Sequence, residues 1–246
     1  MGFISVGCWV LGLMSCSVQA EQVRVAVAAN FLSTLNIIQP GYEALSGDRL
    51  LISAASTGKL FAQIHNGAPF DVLLAADQHY PQKLEADGLI VAGSRFVYAQ
   101  GQLVLWARNV EQGIGQANFL QSSGRIAVAN PRTAPYGMAA QQVLRHLVLP
   151  DTIDSRLVRG ESVGQAFQFV ATGNAEYGFV ALSQVLSPFY RFNRDNYWLI
   201  PHSMYEPLYQ DAALLIYGQA KPAAQAFLDY LKTPQVRELI RANGYL

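Results

Sequence analysis

The chain has 246 residues, half of them hydrophobic, with 17 basic residues balancing 17 acidic ones. Neutrality and the lack of any basic run exclude a nucleic-acid surface and an electrostatically held membrane surface, both of which need concentrated positive charge. The length suits one large domain or two smaller ones around a sizeable core.

The first twenty residues, "MGFISVGCWVLGLMSCSVQA", carry no charge and end in the small-x-small pattern Val18-Gln19-Ala20. They read as a signal peptide (1–20) cut after Ala20, although a positive n-region is missing. Lipidation at Cys16 is the weaker reading, because Met14 fits poorly in Leu13-Met14-Ser15-Cys16. As a membrane span the stretch is at the short limit. Both cysteines, Cys8 and Cys16, lie in this leader. The mature chain is then without thiols or disulfides, and export without disulfides points to a periplasm.

From Val23 onward the pattern is strand, turn, helix. "VRVAVAA" alternates as a strand, and "NFLSTLNIIQPGYEALSG" has helical spacing and closes at Gly47. "RLLISAA" leads into "STGKLFAQIHNG", and "FDVLLAA" leads into "DQHYPQKLEADGL". The rhythm restarts after the strand "GQLVLWAR": strand "GRIAVANP", helix "YGMAAQQVLRHL", helix "SVGQAFQFVATG", then "EYGFVALSQV" as a strand running into a helix. "PHSMYEPLYQ" reads as irregular, "DAALLIYG" as a strand, and the C-terminus as one helix broken at Pro234. Strands alternating with helices predict an α/β fold of mostly parallel sheets flanked by helices. Because the grammar runs twice, two lobes with a cleft between them are expected, lobe 1 over 21–104 and 212–246 and lobe 2 over 105–211. Open α/β sheets place ligands in such clefts.

Nucleotide and metal motifs fail. A phosphate loop ending at Gly58-Lys59 needs Gly at 53 and Ser or Thr at 60, where Ser53 and Leu60 stand. No G-x-G-x-x-G follows a strand. His65, His79, His146 and His202 are scattered without metal-ligand spacing, and no G-x-S-x-G elbow exists. Asp71 or Glu161 can be imagined as an acid or base of an enzyme on this scaffold. Arg132 or Arg159 would be candidates for clamping an organic carboxylate.

What recurs is a strand ending in a polar cluster that opens a helix: Ala29-Asn30-Phe31, Ser56-Thr57-Gly58, Ala134-Pro135-Tyr136-Gly137 and Glu161-Ser162-Val163. Each alone reads as an ordinary N-cap. Several aimed at one point would form a cage of N–H and O–H donors, each bond to an anion contributing roughly 1.5–3 kcal/mol. A donor-only cage suits a fully deprotonated tetrahedral dianion such as molybdate, tungstate or sulfate. It disfavours hydrogen phosphate, whose proton needs an acceptor.

At these junctions the sequence resembles periplasmic molybdate-binding proteins that feed ABC importers. The likeness runs from "VRVAVAANF" through "ASTGKLFAQIHNGAPFDVLLAADQ", "GRIAVANPRTAPYGMAAQQVL" and "VRGESVGQAFQFVATGNAEYGFV" to "FLDYLKTPQVRELIRANGY". The resemblance implies a two-lobed type II binding-protein fold, no catalytic role and no cofactor, with molybdate or tungstate as ligand. It maps the oxyanion contacts onto Asn30, Ser56, Thr57, Tyr136 (through its N–H) and Val163 (through its N–H), with no direct metal-cation ligand. Ala181 stands where many members have a contacting tyrosine. The implied partners are a small tetrahedral oxyanion and the membrane permease of an importer, with the protein a monomer in the periplasm.

Overall fold

The computed structural model describes residues 20–108, 113–147, 151–190 and 196–246. Residues 1–19 of the proposed leader, with Cys8 and Cys16, lie outside the described residues.

The first half runs β1 (Gln22–Ala28), α1 (Leu32–Ser46), β2 (Arg49–Ala55), α2 (Thr57–His65), β3 (Val72–Leu74), α3 (His79–Ala86) and β4 (Phe96–Gly101). The second runs β5 (Leu103–Trp106), α4 (Gln116–Gln121), β6 (Ile126–Ala129), α5 (Pro135–His146), β7 (Leu157–Gly160), α6 (Val163–Ala171), β8 (Tyr177–Ala181), α7 (Leu182–Val185) and β9 (Tyr197–Leu199). The chain then returns through β10 (Leu208–Leu214) to α8 (Pro222–Leu231) and α9 (Pro234–Ala242).

Two five-stranded sheets result, ordered β2-β1-β3-β10-β4 and β7-β6-β8-β5-β9. In each, four strands run one way and the fourth in the order is reversed: β10 pairs antiparallel with β3 and β4, and β5 with β8 and β9. The reversed strand is in both cases the first one after the chain changes sheet. The changes fall at Gln102 and between Leu199 and Leu208, a few residues before the 104/105 and 211/212 boundaries expected from sequence.

Alternation explains the packing of the first sheet. Val23, Val25 and Val27 of β1 face one side, against Phe31, Leu35 and Phe227. Ala26 faces the other, against Leu60, Leu73 and Leu84. In the second sheet the strands β5, β6 and β8 are buried over nearly their whole lengths, and Trp106 stacks on Phe167 of α6 at 4.8 Å. Continuous apolar runs are the signature of strands covered on both faces. α1 closes on Gly47 at φ 78°, the left-handed conformation that glycine adopts without a Cβ penalty.

Strand register decides where the turns emerge. β1 and β2 run parallel and end together, Ala28 opposite Ala55. In the other sheet β6 and β7 end together, Ala129 opposite Gly160. These are equivalent strand pairs of the two sheets, and their carboxyl ends deliver the chain into four turns.

The two halves touch directly. Gly58 N–H donates to the Thr133 carbonyl at 2.9 Å, and the Tyr80 hydroxyl to the Arg132 carbonyl at 3.1 Å. A Cβ at Gly58 would lie 2.9 Å from the Thr133 backbone, so this contact needs glycine. Lys59 pairs with Glu161 at 2.9 Å, both exposed, and Ser183 donates to the Asn30 carbonyl at 3.0 Å.

Candidate functional site

The four turns meet at one small cavity, whose wall includes Asn30, Ser56, Thr57, Tyr136 and Val163. Asn30 follows β1, Ser56 and Thr57 follow β2, Tyr136 lies beyond β6, and Val163 lies beyond β7. All five are buried. The position follows the rule for α/β sheets that ligands sit outside the carboxyl ends of the strands.

Thr57 and Val163 are the first residues of α2 and α6, and Tyr136 is the second residue of α5. Their N–H groups are among those that helix geometry leaves without an intrahelical acceptor. Three helix N-termini, each a partial positive charge, therefore face one point. Asn30 adds a fourth free N–H, since the backbone bonds of its turn run from Ala29 N–H to Ala55 and from Phe31 N–H to Ala28.

Helix capping accounts for only some of these polar residues. Ser162 caps α6 by accepting from Gln165 N–H at 3.3 Å. Ser56 does not cap α2: its hydroxyl is buried and has no partner. Thr57 Oγ1 accepts from Ala76 N–H at 3.0 Å, which ties α2 to the end of β3. An unpaired buried hydroxyl costs about 1–3 kcal/mol. Such a cost signals a group kept for something other than stability.

The Asn30 side chain is held by the frame behind the cavity. Its Nδ2 donates to Gln210 Oε1 at 3.0 Å and to the Tyr245 hydroxyl at 3.2 Å, leaving Oδ1 buried and unpartnered. Two donor hydrogens are thus spent on the frame. Gln210, on β10 and fully buried, also accepts from the Tyr98 hydroxyl at 3.1 Å and donates to the Tyr136 hydroxyl at 3.4 Å. Burial raises the Tyr98, Tyr136 and Tyr245 hydroxyls above their ordinary pKa, so all three remain protonated. The Tyr136 hydroxyl points toward Gly101, where a Cβ would clash with it, which leaves its N–H as the group on the cavity.

The other candidates are engaged elsewhere. Asp71 is buried and accepts from Arg24 N–H and Lys221 Nζ, both at 2.8 Å. Glu161 is exposed and paired with Lys59, which lowers its pKa. Arg159 faces Asp154 at 3.9 Å. Neither these residues nor Arg132 lines the cavity. Ala181 ends β8 fully buried and does not line it either. Among the described residues no cluster of His, Cys, Asp and Glu could hold a metal ion.

The cavity measures about 10 Å³, the scale of one water molecule. A tetrahedral oxyanion is larger, so its walls must part to admit one. Wider space of about 330 Å³ adjoins it between the halves, sharing Ala29 and lined by Ser33, Asn36 and Gln184. On another flank, where Pro135 is shared, a space of about 180 Å³ is bordered by Asp77, Met138 and Glu206.

Asp77 gives a pH signature to that flank. Burial lifts its carboxyl from an ordinary 3.8 to about 6; the Tyr80 N–H opposes the rise and Asp211 adds to it. A carboxyl raised in the folded state destabilises the fold above that pKa, and the penalty fades as pH falls from about 6 toward 4. Asp77→Asn, which keeps the acceptor for Tyr80, is therefore expected to stabilise the protein by on the order of 1–3 kcal/mol at pH 8. The gain should vanish at pH 4. Thermal melts at both pH values check this; an equal shift at both would be inconsistent with a raised Asp77.

Neutral donors from two α/β lobes, gathered where both sheets present their carboxyl ends, define a small-ligand binding protein of the two-lobed kind. A family model described as bacterial extracellular solute-binding protein matches residues 23–246, and the chain belongs to that family. It is 49% identical over 236 residues to the molybdate-binding protein ModA of Azotobacter vinelandii, covering 95% of this chain and 93% of that one. It is 40% identical over 228 residues to the molybdate-binding protein ModA of Rhodobacter capsulatus, covering 92% and 89%. A solved periplasmic molybdate-binding protein of Azotobacter vinelandii superposes with a TM-score of 0.85 at 39% identity, over 91% of this chain and 98% of that one. The chain is a solute-binding protein and not an enzyme.

Proposed function

We propose that this protein is a periplasmic receptor that captures molybdate, with tungstate as a second ligand, and delivers it to the permease of an ABC importer as a monomer. The reading is carried by one observation: four unpartnered N–H groups and one orphaned hydroxyl line a single cavity with no lysine or arginine on its wall. The names of the 49% and 40% identical relatives support the same ligand.

In this reading the N–H groups of Asn30, Thr57, Tyr136 and Val163 and the Ser56 hydroxyl hold the oxygens of one dianion. With bonds of roughly 1.5–3 kcal/mol each, reduced by desolvation and association costs, tight binding needs no countercharge. The lobes part about the crossings at Gln102 and after Leu199 to admit the anion and close over it. Isothermal titration at neutral pH with molybdate, tungstate and sulfate tests the proposal. Heat and a thermal shift with molybdate and tungstate are expected, with sulfate weaker; silence with all three would end it.

A further inference from the structure

Resting on the oxyanion reading, a finer question is how one acceptor came to stand among the donors. Asn30 lines the cavity while both hydrogens of its amide go to Gln210 and Tyr245, and its Oδ1 has no partner. An acceptor beside a bare dianion is repulsive; beside an oxyanion that carries a proton it is a hydrogen-bond partner.

Gln210 makes this arrangement reversible. An amide presents oxygen on one side and NH₂ on the other in nearly the same shape, so a half-turn exchanges acceptor for donor without changing volume. If Asn30 and Gln210 turn together, Gln210 Nε2 donates to Asn30 Oδ1, and the Tyr245 hydroxyl donates there too. The Asn30 carbonyl keeps Ser183 as donor at 3.0 Å. The Tyr98 hydroxyl keeps the Ala75 carbonyl at 3.2 Å. The Tyr136 hydroxyl proton gains Gln210 Oε1 as acceptor. The contacts of the two amides survive with roles exchanged, at the loss of the bonds that the Tyr245 hydroxyl donates to Ser183 Oγ and the Asn30 carbonyl, and Asn30 Nδ2 takes the place of the orphaned oxygen.

We propose that Asn30 and Gln210 form a coupled amide pair with two settings, and that Gln210 is thereby a positioning residue for ligand selectivity. One setting offers Asn30 Oδ1 to the ligand and fits a protonated oxyanion; the other offers Nδ2 and fits a bare one. A side chain at 210 able only to accept would lock the first setting.

Gln210→Glu supplies that side chain. At pH 8 hydrogen phosphate and molybdate carry the same double charge, and only phosphate bears a proton. Simple repulsion by Glu must weaken both alike. Calorimetry with molybdate, and with phosphate in competition, is expected to show molybdate affinity falling at least tenfold more than phosphate affinity. Equal losses, or none, would overturn the pair. If the variant does not fold, side-chain amide NMR of the wild-type protein decides. Saturating molybdate should shift the NH₂ signals of both Asn30 and Gln210, and a Gln210 signal that stays put would overturn the proposal. Wild-type protein that binds none of the anions would defeat the receptor reading itself; molybdate binding with unchanged selectivity in Gln210→Glu would defeat the amide pair alone.

Discussion

Val163→Pro is expected to cost at least tenfold in molybdate affinity while lowering stability by only about 1 kcal/mol, the cost of repacking a buried valine. Val163 is the first residue of α6, where proline is favoured because its missing N–H has no helical acceptor. Ser162 before it is extended, at φ −146° and ψ 166°, the conformation a residue preceding proline prefers. The substitution therefore removes a donor from the cavity and keeps the helix, at the cost of repacking one buried side chain. One such bond to an anion is worth roughly 1.5–3 kcal/mol, a factor of about 10 to 150. Val163→Ala keeps the N–H, so its affinity should stay within about threefold, while core trimming costs on the order of 1 kcal/mol of stability. Titration calorimetry and thermal melts on both variants separate the effects. Matching losses of affinity in the two would argue that the side chain, not the backbone, is the contact.

Ser56→Ala should move stability and binding in opposite directions. The hydroxyl is buried, unpaired and not a cap, so the usual loss on replacing a capping serine does not apply. Removing it relieves a desolvation cost and should leave the unliganded protein as stable or up to about 1–2 kcal/mol more so. Molybdate affinity should fall by about tenfold or more. Thr57→Val is the contrasting variant: it takes away the acceptor for Ala76 N–H and should lower stability by on the order of 1 kcal/mol. A Ser56→Ala protein that loses stability and affinity in step would show the hydroxyl to be structural.

Much of this arrangement is legible in the amino-acid sequence. β1, β2 and β6 announce themselves through alternation or unbroken apolar runs. The junctions carrying Asn30, Ser56, Tyr136 and Val163 stand out because Asn, Ser, Thr, Pro and Gly punctuate them. β7 and β9 are hidden by their four and three residues, too few for any period to register. β10 begins at Leu208, just after Pro207, inside a stretch whose Pro and Tyr content reads as irregular. The frame behind the cavity is the least legible part. Asn30 meets Gln210 and Tyr245 across 180 and 215 residues of chain, and only the closing of the first sheet by β10 brings them together. For the same reason nothing near Asn30 in the sequence shows that long-range partners occupy its amide.

The reversed strand that each sheet borrows has a consequence for how the polypeptide is assembled. β10 separates β3 from β4, so the first lobe has a gap in its middle until residue 214 is available, and the second lobe is encoded entirely within that interval. A fragment ending near residue 200 would hold a complete second sheet beside a split first one, with Val25, Val72 and Phe31 deprived of the cover from Phe227. Maturation of the amino-terminal half is thus deferred to the last stretch of the chain, and neither half can be expressed as an uninterrupted segment that folds into both.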